Sequence, residues 1–316
     1  MMNSTHADLH TDTPSVTIVV LTRQRSESLK RTLEALKNLT YPSYEILVID
    51  NLSTDNTAQV AQAAGVRYIY CSKPGVSMCR QTGIDAANTP IVAMCDDDCV
   101  PVPGWLDHMV RRHTEDPDLA LLGGHIINIG FGENRIYKGR GILLENSITQ
   151  FVEDPRDAFY YGSANIAFKR DAIQSVGGYD PFFRTGGYEE ADLITRLKVY
   201  GYTVAYEPEA VVEHHHVDTS FRHNRIFYTN QLLRLYYHMK HRRPQGLTEW
   251  FRFAWYELRI LTKEIIPLLK GILRYIVRGR IGEAWGRLIR IYSSIVARAA
   301  IPWIFWVVYQ RNKREH

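Results

Sequence analysis

Residues 91–101 read I-V-A-M-C-D-D-D-C-V-P, an apolar run that ends abruptly in three carboxylates, Asp96, Asp97 and Asp98. Ile91, Val92, Ala93 and Met94 predict a strand buried on both faces, with its carboxyl end opening into a loop. In open α/β sheets the crevice beyond such strand ends is where ligands bind. Three adjacent carboxylates repel one another, so the alternatives are a solvated acidic turn or a cation held among them. Hard oxygen donors at a strand end suit Mg²⁺ or Mn²⁺, which take one or two carboxylates together with substrate phosphates. The pattern therefore predicts a metal-bridged diphosphate.

The flanking sequence supplies the sheet. Residues 16–21 are β-branched and apolar between Pro14 and the polar T-R-Q-R, and they predict a first strand. Ser26 is placed to cap a helix in which Leu29, Leu33 and Leu36 recur at helical spacing, and Tyr41 and Pro42 stop it. Residues 45–49 predict a second strand ending at Asp50, and Ser53 or Asp55 can cap a helix through Gln62. A third strand at 66–70, a third helix at 75–87 and the run at Ile91 complete an alternation that demands a mostly parallel sheet with helices on both faces. Asp50 opens on the same edge as the Asp run. There it can accept from ribose hydroxyls or a base edge, or serve as a turn residue. No G-x-G-x-x-G follows the first strand and no G-x-x-x-x-G-K-[ST] occurs, which argues against a dinucleotide dehydrogenase and a P-loop NTPase.

Charge is unevenly distributed. The 316 residues carry a net +4, yet residues 242–316 hold 15 Lys/Arg against 5 Asp/Glu, so the basic character belongs to the C-terminal quarter. Such asymmetry points to an anionic surface as that segment's partner. Cys71, Cys79, Cys95 and Cys99 lack the close pair of a structural zinc site and are expected as buried thiols of a cytosolic domain. Residues 1–14 have no apolar core and are expected as a flexible arm, neither signal peptide nor anchor.

Residues 15–240 resemble the family 2 glycosyltransferases, inverting enzymes of GT-A fold that use nucleotide-diphosphate sugars. V-T-I-V-V-L-T-R-Q-R-S-E-S-L at 16–29 is similar to the family's opening strand and nucleotide loop, with Leu21 for the usual Pro and Gln24 for Asn. Asp50, Ser53, Asp55 and Thr57 match its D-x-x-S-x-D-x-T element, and G-V-S-M-C-R-Q-T-G at 75–83 resembles its G-x-x-x-A-R-N-x-G helix. The resemblance implies nucleotide-sugar contacts from Thr22, Arg23, Arg25, Asp50, Asp55 and Arg80. At the D-x-D position it implies Asp98 on the metal, with Asp96 and Asp97 toward the sugar nucleotide and Asp96 close enough to share the ion. The cofactor it implies is Mn²⁺ or Mg²⁺.

Further along, residues 123–161 are Gly-rich and are expected as an irregular loop over sugar or acceptor, or as an excursion without function. Residues 162–168 resemble the family's second block, near the bound sugar. G-G-Y-E-E-A-D-L-I-T-R-L at 186–197 resembles its G-x-E-D-x-D-L element, which implies Glu190 as catalytic base with Glu189 as runner-up. Consecutive helical side chains point ~100° apart, so only one of the two is expected at the acceptor. His214, the first of His214, His215 and His216, matches a single His near the metal or diphosphate. Arg222 and Arg225 are placed to meet phosphate or solvent. Residues 241–316 alternate aromatic and aliphatic residues with recurring Arg and Lys, the pattern of helices lying on an anionic membrane. The uninterrupted apolar stretch at 299–309 is too short to span one. These features predict a peripheral protein of the cytoplasmic leaflet that glycosylates a glycan or lipid-linked acceptor and does not bind nucleic acid. A sugar-phosphate nucleotidyltransferase is the rival, although T-R-Q-R-S at 22–26 lacks its glycines. A non-catalytic scaffold on the membrane is a third reading.

Overall fold

The four apolar runs at the start of the chain become one half of the sheet. β1 (Val16–Thr22), β2 (Tyr44–Asp50), β3 (Arg67–Tyr70) and β4 (Ile91–Asp96) lie in the order β3-β2-β1-β4, all parallel, in a computed structural model that describes residues 13–130, 139–215 and 223–315. Their side chains alternate between two cores. Ile18, Val20, Val48 and Ala93 face α1 (Ser26–Lys37), α2 (Thr57–Ala63) and α4 (Trp105–Glu115). Val19, Leu47, Ile49 and Met94 face α3 (Val76–Ala86), α5 (Arg170–Ser175) and α6 (Glu189–Val199). Burial on both faces is why these strands read as unbroken apolar runs.

The other half departs from simple alternation. β10 (Asn165–Lys169) enters antiparallel between β4 and β6 (Leu119–Ile129), β6 pairs parallel with β11 (Thr203–His215), and β5 (Cys99–Pro101) closes the edge antiparallel to β11. Asn165 fixes this junction: its amide donates to the His125 and Ala210 carbonyls at 2.8 Å each, and its Oδ1 accepts from Trp105 Nε1 at 2.8 Å.

Residues 123–161 are not the irregular segment that their glycines suggest. β6 runs on to Ile129, and β7 (Arg140–Leu143), β8 (Thr149–Phe151) and β9 (Tyr160–Tyr161) form a second, three-stranded sheet; residues 131–138 lie outside those described. A Cβ on Gly123 would stand 2.2 Å from the Tyr161 ring, and one on Gly124 would stand 2.3 Å from the Asn165 amide. These two glycines are demanded by packing within a strand.

Two capping expectations also change. Ser26 is the first residue of α1, not its cap, and its N–H is taken by Asp55 Oδ2 at 3.1 Å. Asp55 Oδ1 also accepts from the Thr57 N–H at the start of α2, so one carboxylate ties both helix starts together.

Four helices follow, α7 (His223–His241), α8 (Gly246–Val277), α9 (Ile281–Ala299) and α10 (Ile301–Glu315). The expected boundary near residue 240 falls inside a shared core, in which Phe183 and Ala191 pack with Tyr236 and Tyr237 and with Phe253, Ala297, Ile304 and Val308. At its side Arg234 grips Glu257 bidentately, at 2.8 and 2.7 Å, and Arg298 Nε lies 3.1 Å from Glu257 Oε2. Asn146, from the loop between β7 and β8, donates to the same carboxylate at 2.8 Å. Removing one partner of a buried pair strands the other's charge, which typically costs about 3–5 kcal/mol. Glu257→Ala is therefore expected to destabilise the protein by that amount, read as a lowered urea midpoint.

Candidate active site

The three acids at the end of β4 sit in three different surroundings. Asp97 Oδ2 accepts from Thr22 Oγ1 at 2.7 Å, and Thr32 Oγ1 donates to the Asp97 carbonyl at 2.9 Å. Asp98 Oδ1 lies 3.2 Å from His214 Nε2, because β11 pairs with β5 in a register that sets His214 opposite Cys99. Asp96 lines both of the cavities described below. Arg25 Nη1 joins two of the acids, 3.0 Å from Asp97 Oδ1 and 2.8 Å from Asp98 Oδ2. Burial pushes the Asp97 carboxyl up to about 6 despite Arg25 and Thr22. Burial likewise raises Asp96 against the pull of Arg80. For Asp98 burial acts in the same direction, but the hydrogen bond and charge of His214 prevail and hold it below the usual range.

These groups fit a small divalent cation. Ligating atoms of Asp98, Cys99 and His214 lie within 4.8 Å of one another, all three residues being buried. The Cys99 thiol is pushed well above its ordinary range by its contact with Cys95 and by burial, so it remains S–H and is a poor ligand. A carboxylate and an imidazole are left; the carboxylate suits Mn²⁺ or Mg²⁺, and the imidazole favours Mn²⁺ of the two. His214 and His215 sit on opposite faces of β11, and His215 meets Glu213 at 3.2 Å instead. His216, Arg222 and the Arg225 side chain lie outside the described residues.

A cleft of about 610 Å³ opens at the strand ends, lined by Thr22, Arg23, Arg25, Arg80, Asp96 and Asp97 as expected, and also by Asn51 and Arg184. Asp50 does not line it. Its Oδ1 accepts from the Ser53 N–H at 2.9 Å, its Oδ2 accepts from Tyr68 OH at 2.7 Å, and it is 1% exposed. Asp55 is exposed and knits loops together. Gln24, with φ 55°, does the same: its Oε1 accepts from the Thr54 and Asp55 N–H groups. The residue next to Asp50, Asn51, lines the cleft instead, and its buried Oδ1 has no hydrogen-bond partner among the described residues. Its signal in the sequence was its place one residue beyond the strand-end Asp.

A second cavity of about 380 Å³ meets the first at Val76, Arg80, Asp96 and Asn230, and is walled by Ser163, Tyr188, Glu189 and Glu190. Both glutamates line this space. Both carboxylates converge on Arg80 Nη1, at 2.6 Å from Glu189 Oε1 and 2.8 Å from Glu190 Oε1. Long side chains in a helix's first turn can curl onto one cation even when their Cα–Cβ bonds diverge. Glu189 Oε2 is buried without a hydrogen-bond partner among the described residues. Burial, followed by repulsion from Glu189, pushes the Glu190 carboxyl up to about 7 against the opposing charge of Arg80.

The chain into α6 is strained. Gly186, Gly187 and Tyr188 all have positive φ, at 80°, 101° and 70°, and a non-glycine residue held there costs on the order of 1–3 kcal/mol. Tyr188 is held by its hydroxyl on the Ser147 carbonyl at 2.8 Å. Within α6, Asp192 is bound by Arg196, Lys240 and His241, each at 2.7 Å, and Lys240 also reaches Asp180 at 2.8 Å. Asp180 is paired in turn with Arg311 of α10. The helix that carries both glutamates is thus anchored from the C-terminal helices.

The chain is similar to known proteins in sequence and in fold. The model of Glycosyl transferase family 2 matches residues 17–177. Pre-mycofactocin glycosyltransferase of Mycobacterium tuberculosis is 29% identical over 212 residues, 64% of this chain and 43% of that protein, so the chain spans less than half of that relative. Glucosyl-dolichyl phosphate glucuronosyltransferase of Haloferax volcanii is 28% identical over 217 residues, 63% of this chain and 68% of the relative. Among solved structures, a mannosyltransferase from Pyrobaculum calidifontis in complex with GDP-Man and Mn²⁺ superposes with a TM-score of 0.54 at 16% identity, over 93% of this chain and 88% of that one. The fold is GT-A, as the sequence implied.

Arg80 is the only cation shown touching both glutamates among the described residues, so its loss favours the protonated form of Glu190. In Arg80→Met the Glu190 carboxyl is expected to titrate above its value of about 7, followed by the ¹³C shift of the side-chain carboxyl. An unmoved titration would show that Arg80 does not set the proton affinity of that carboxylate.

Proposed function

Because the chain belongs to glycosyl transferase family 2, we propose that it transfers a sugar from a nucleoside-diphosphate sugar to a hydroxyl acceptor, with inversion, at the junction of its two cavities. The observation that carries this reading is the meeting of cleft and second cavity at Arg80 and Asp96, with Glu190 walling only the second. A donor in the cleft would present its anomeric carbon at that junction, with the diphosphate on one side and the acceptor oxygen on the other. Single displacement needs this opposed arrangement.

In this scheme Asn51 and the loop of Thr22, Arg23 and Arg25 hold the nucleotide. Asp98 and His214 would hold a divalent cation, which when bound offsets the charge of the leaving diphosphate. Glu190 accepts the acceptor hydroxyl's proton as its oxygen bonds to the anomeric carbon. The bond from that carbon to the diphosphate oxygen breaks, and its electron pair leaves with the diphosphate. A carboxyl titrating at about 7 is half ionised at neutral pH, well matched to taking a proton there. Arg80 keeps the charged form of Glu190 available. Nucleotidyl transfer would leave two buried glutamates facing the second cavity without a task. The Haloferax relative's name supports a lipid-linked glycan as acceptor.

General-base removal typically costs ~10²- to 10⁴-fold. Glu190→Gln is expected to lose that much kcat and still bind donor by calorimetry; if Glu189→Gln is the inactive variant and Glu190→Gln is not, the two roles are exchanged. Asp98→Asn is expected to weaken Mn²⁺ binding, measured by paramagnetic relaxation of water, and to lose turnover with it. Undiminished turnover in EDTA would remove the cation from the scheme. The anomeric coupling constant of the product, compared with that of the donor, reports inversion.

A further inference from the structure

The exposed apolar surface is concentrated in one part of the molecule. Of 23 exposed large hydrophobic residues among those described, 17 belong to α8, α9 and α10. On α8 they form a line. Leu247, Phe251, Trp255, Leu258, Ile266, Leu269, Leu273 and Ile276 follow one another at steps of three or four once Thr262 is counted between Leu258 and Ile266, and each of the eight is more than half exposed. At 1.5 Å per residue this stripe is ~45 Å long. It is not the face that holds the helix in place, since Phe253 and Glu257 occupy another side and are buried against the shared core. On α9, Ile281, Trp285, Leu288, Tyr292 and Ile295 repeat the same spacing, and on α10 Trp303, Trp306 and Tyr309 continue the exposed aromatic content.

The charges keep register with the stripe. Arg252, Arg259, Lys263, Lys270 and Arg274 each come one residue after a stripe position, counting Thr262, and all five are exposed. One residue is ~100° around a helix, so the cations form a parallel row along one flank of the apolar line. A helix built this way presents apolar side chains to one medium and cations to its boundary along its whole length.

We propose that α8 and α9, with the aromatic side chains of α10, form a docking face that lies in the plane of an anionic bilayer, its apolar stripes in the acyl boundary and the cationic row at the phosphates. This goes beyond the transfer reaction and does not depend on it. Charge complementarity selects the occupant: a second copy of the chain set against the same face would bring two cationic rows together, a repulsion that an anionic lipid surface turns into attraction. Orientation follows from the same pattern. No single described helix is long and apolar enough to cross a membrane, and the pair α9–α10, which passes only jointly, is bent by 46°.

The test is co-sedimentation of the full chain with vesicles of phosphatidylcholine alone and of phosphatidylcholine mixed with phosphatidylglycerol, at low and high salt. Binding is expected on the anionic vesicles and is expected to weaken with salt. Arg259→Glu, Lys270→Glu and Arg274→Glu together should cut partition to anionic vesicles by at least ~100-fold. Leu258→Glu, Leu269→Glu and Leu273→Glu together should abolish it while the unfolding midpoint stays within the range of surface substitutions. None of these side chains belongs to the transfer site, so donor binding serves as the control for folding. Vesicle binding that either triple variant leaves intact would overturn the proposal. So would a dimer in solution that the leucine variant dissociates while the parent ignores vesicles.

Discussion

The site rests on one buried guanidinium. Arg80 is surrounded by Glu189 and Glu190 at contact distance, with Asp96 also acting on its charge, and it is 7% exposed. Desolvation alone would neutralise carboxylates placed this deep, and desolvation alone would make the arginine's own burial prohibitive. Together they leave Glu190 near neutrality, neither fully ionised nor locked as an acid. Much else in this half of the molecule serves that balance: Gly75, with φ 132°, begins α3 against the Arg184 backbone, and the strained turn at Tyr188 delivers the glutamates from the other side.

The acids after β4 solve a related problem by a different route. Here repulsion is relieved by dispersal, with Thr22, Arg25 and His214 each taking a share of the negative charge. That arrangement is coherent in itself, and Arg25, which lines the cleft, already lies against Asp97 and Asp98. A cation entering beside Asp98 would compete with Arg25 for the same oxygen charge and free a guanidinium at the cleft wall.

Sequence periodicity carried the first half of the fold because its strands are buried on both faces and its helices are amphipathic with short connections. It failed at residues 123–161 because a glycine required by a neighbouring Tyr161 or Asn165 has the same letter as one required by a turn. The motif positions at Arg80, Asp96, Asp98, Glu190 and His214 do gather at the strand ends. Asp50 and Asp55 gather there too, but with their oxygens spent on Ser53, Tyr68, Ser26 and Thr57, a fact set by partners that no local pattern names. Asn51 and Arg184 were missed because a lone polar residue becomes a cleft wall only once the chain has folded around it. The shared core beneath α7 was likewise hidden, since it joins Phe183 to side chains more than 100 residues away.

The ion pair between Arg311 and Asp180 spans 131 residues. During synthesis the sheet and its flanking helices can form as they emerge, since their contacts lie within the first 215 residues. The helix bearing the glutamates has only Arg196 on Asp192 at that stage, because Lys240, His241 and Arg311, the other cations on Asp180 and Asp192, have yet to be made. Buried acids are tolerated only with their partners present, so maturation of the site waits on the far helices. The two glutamates therefore reach their buried setting only once the helices with the exposed apolar stripes have been built onto the chain.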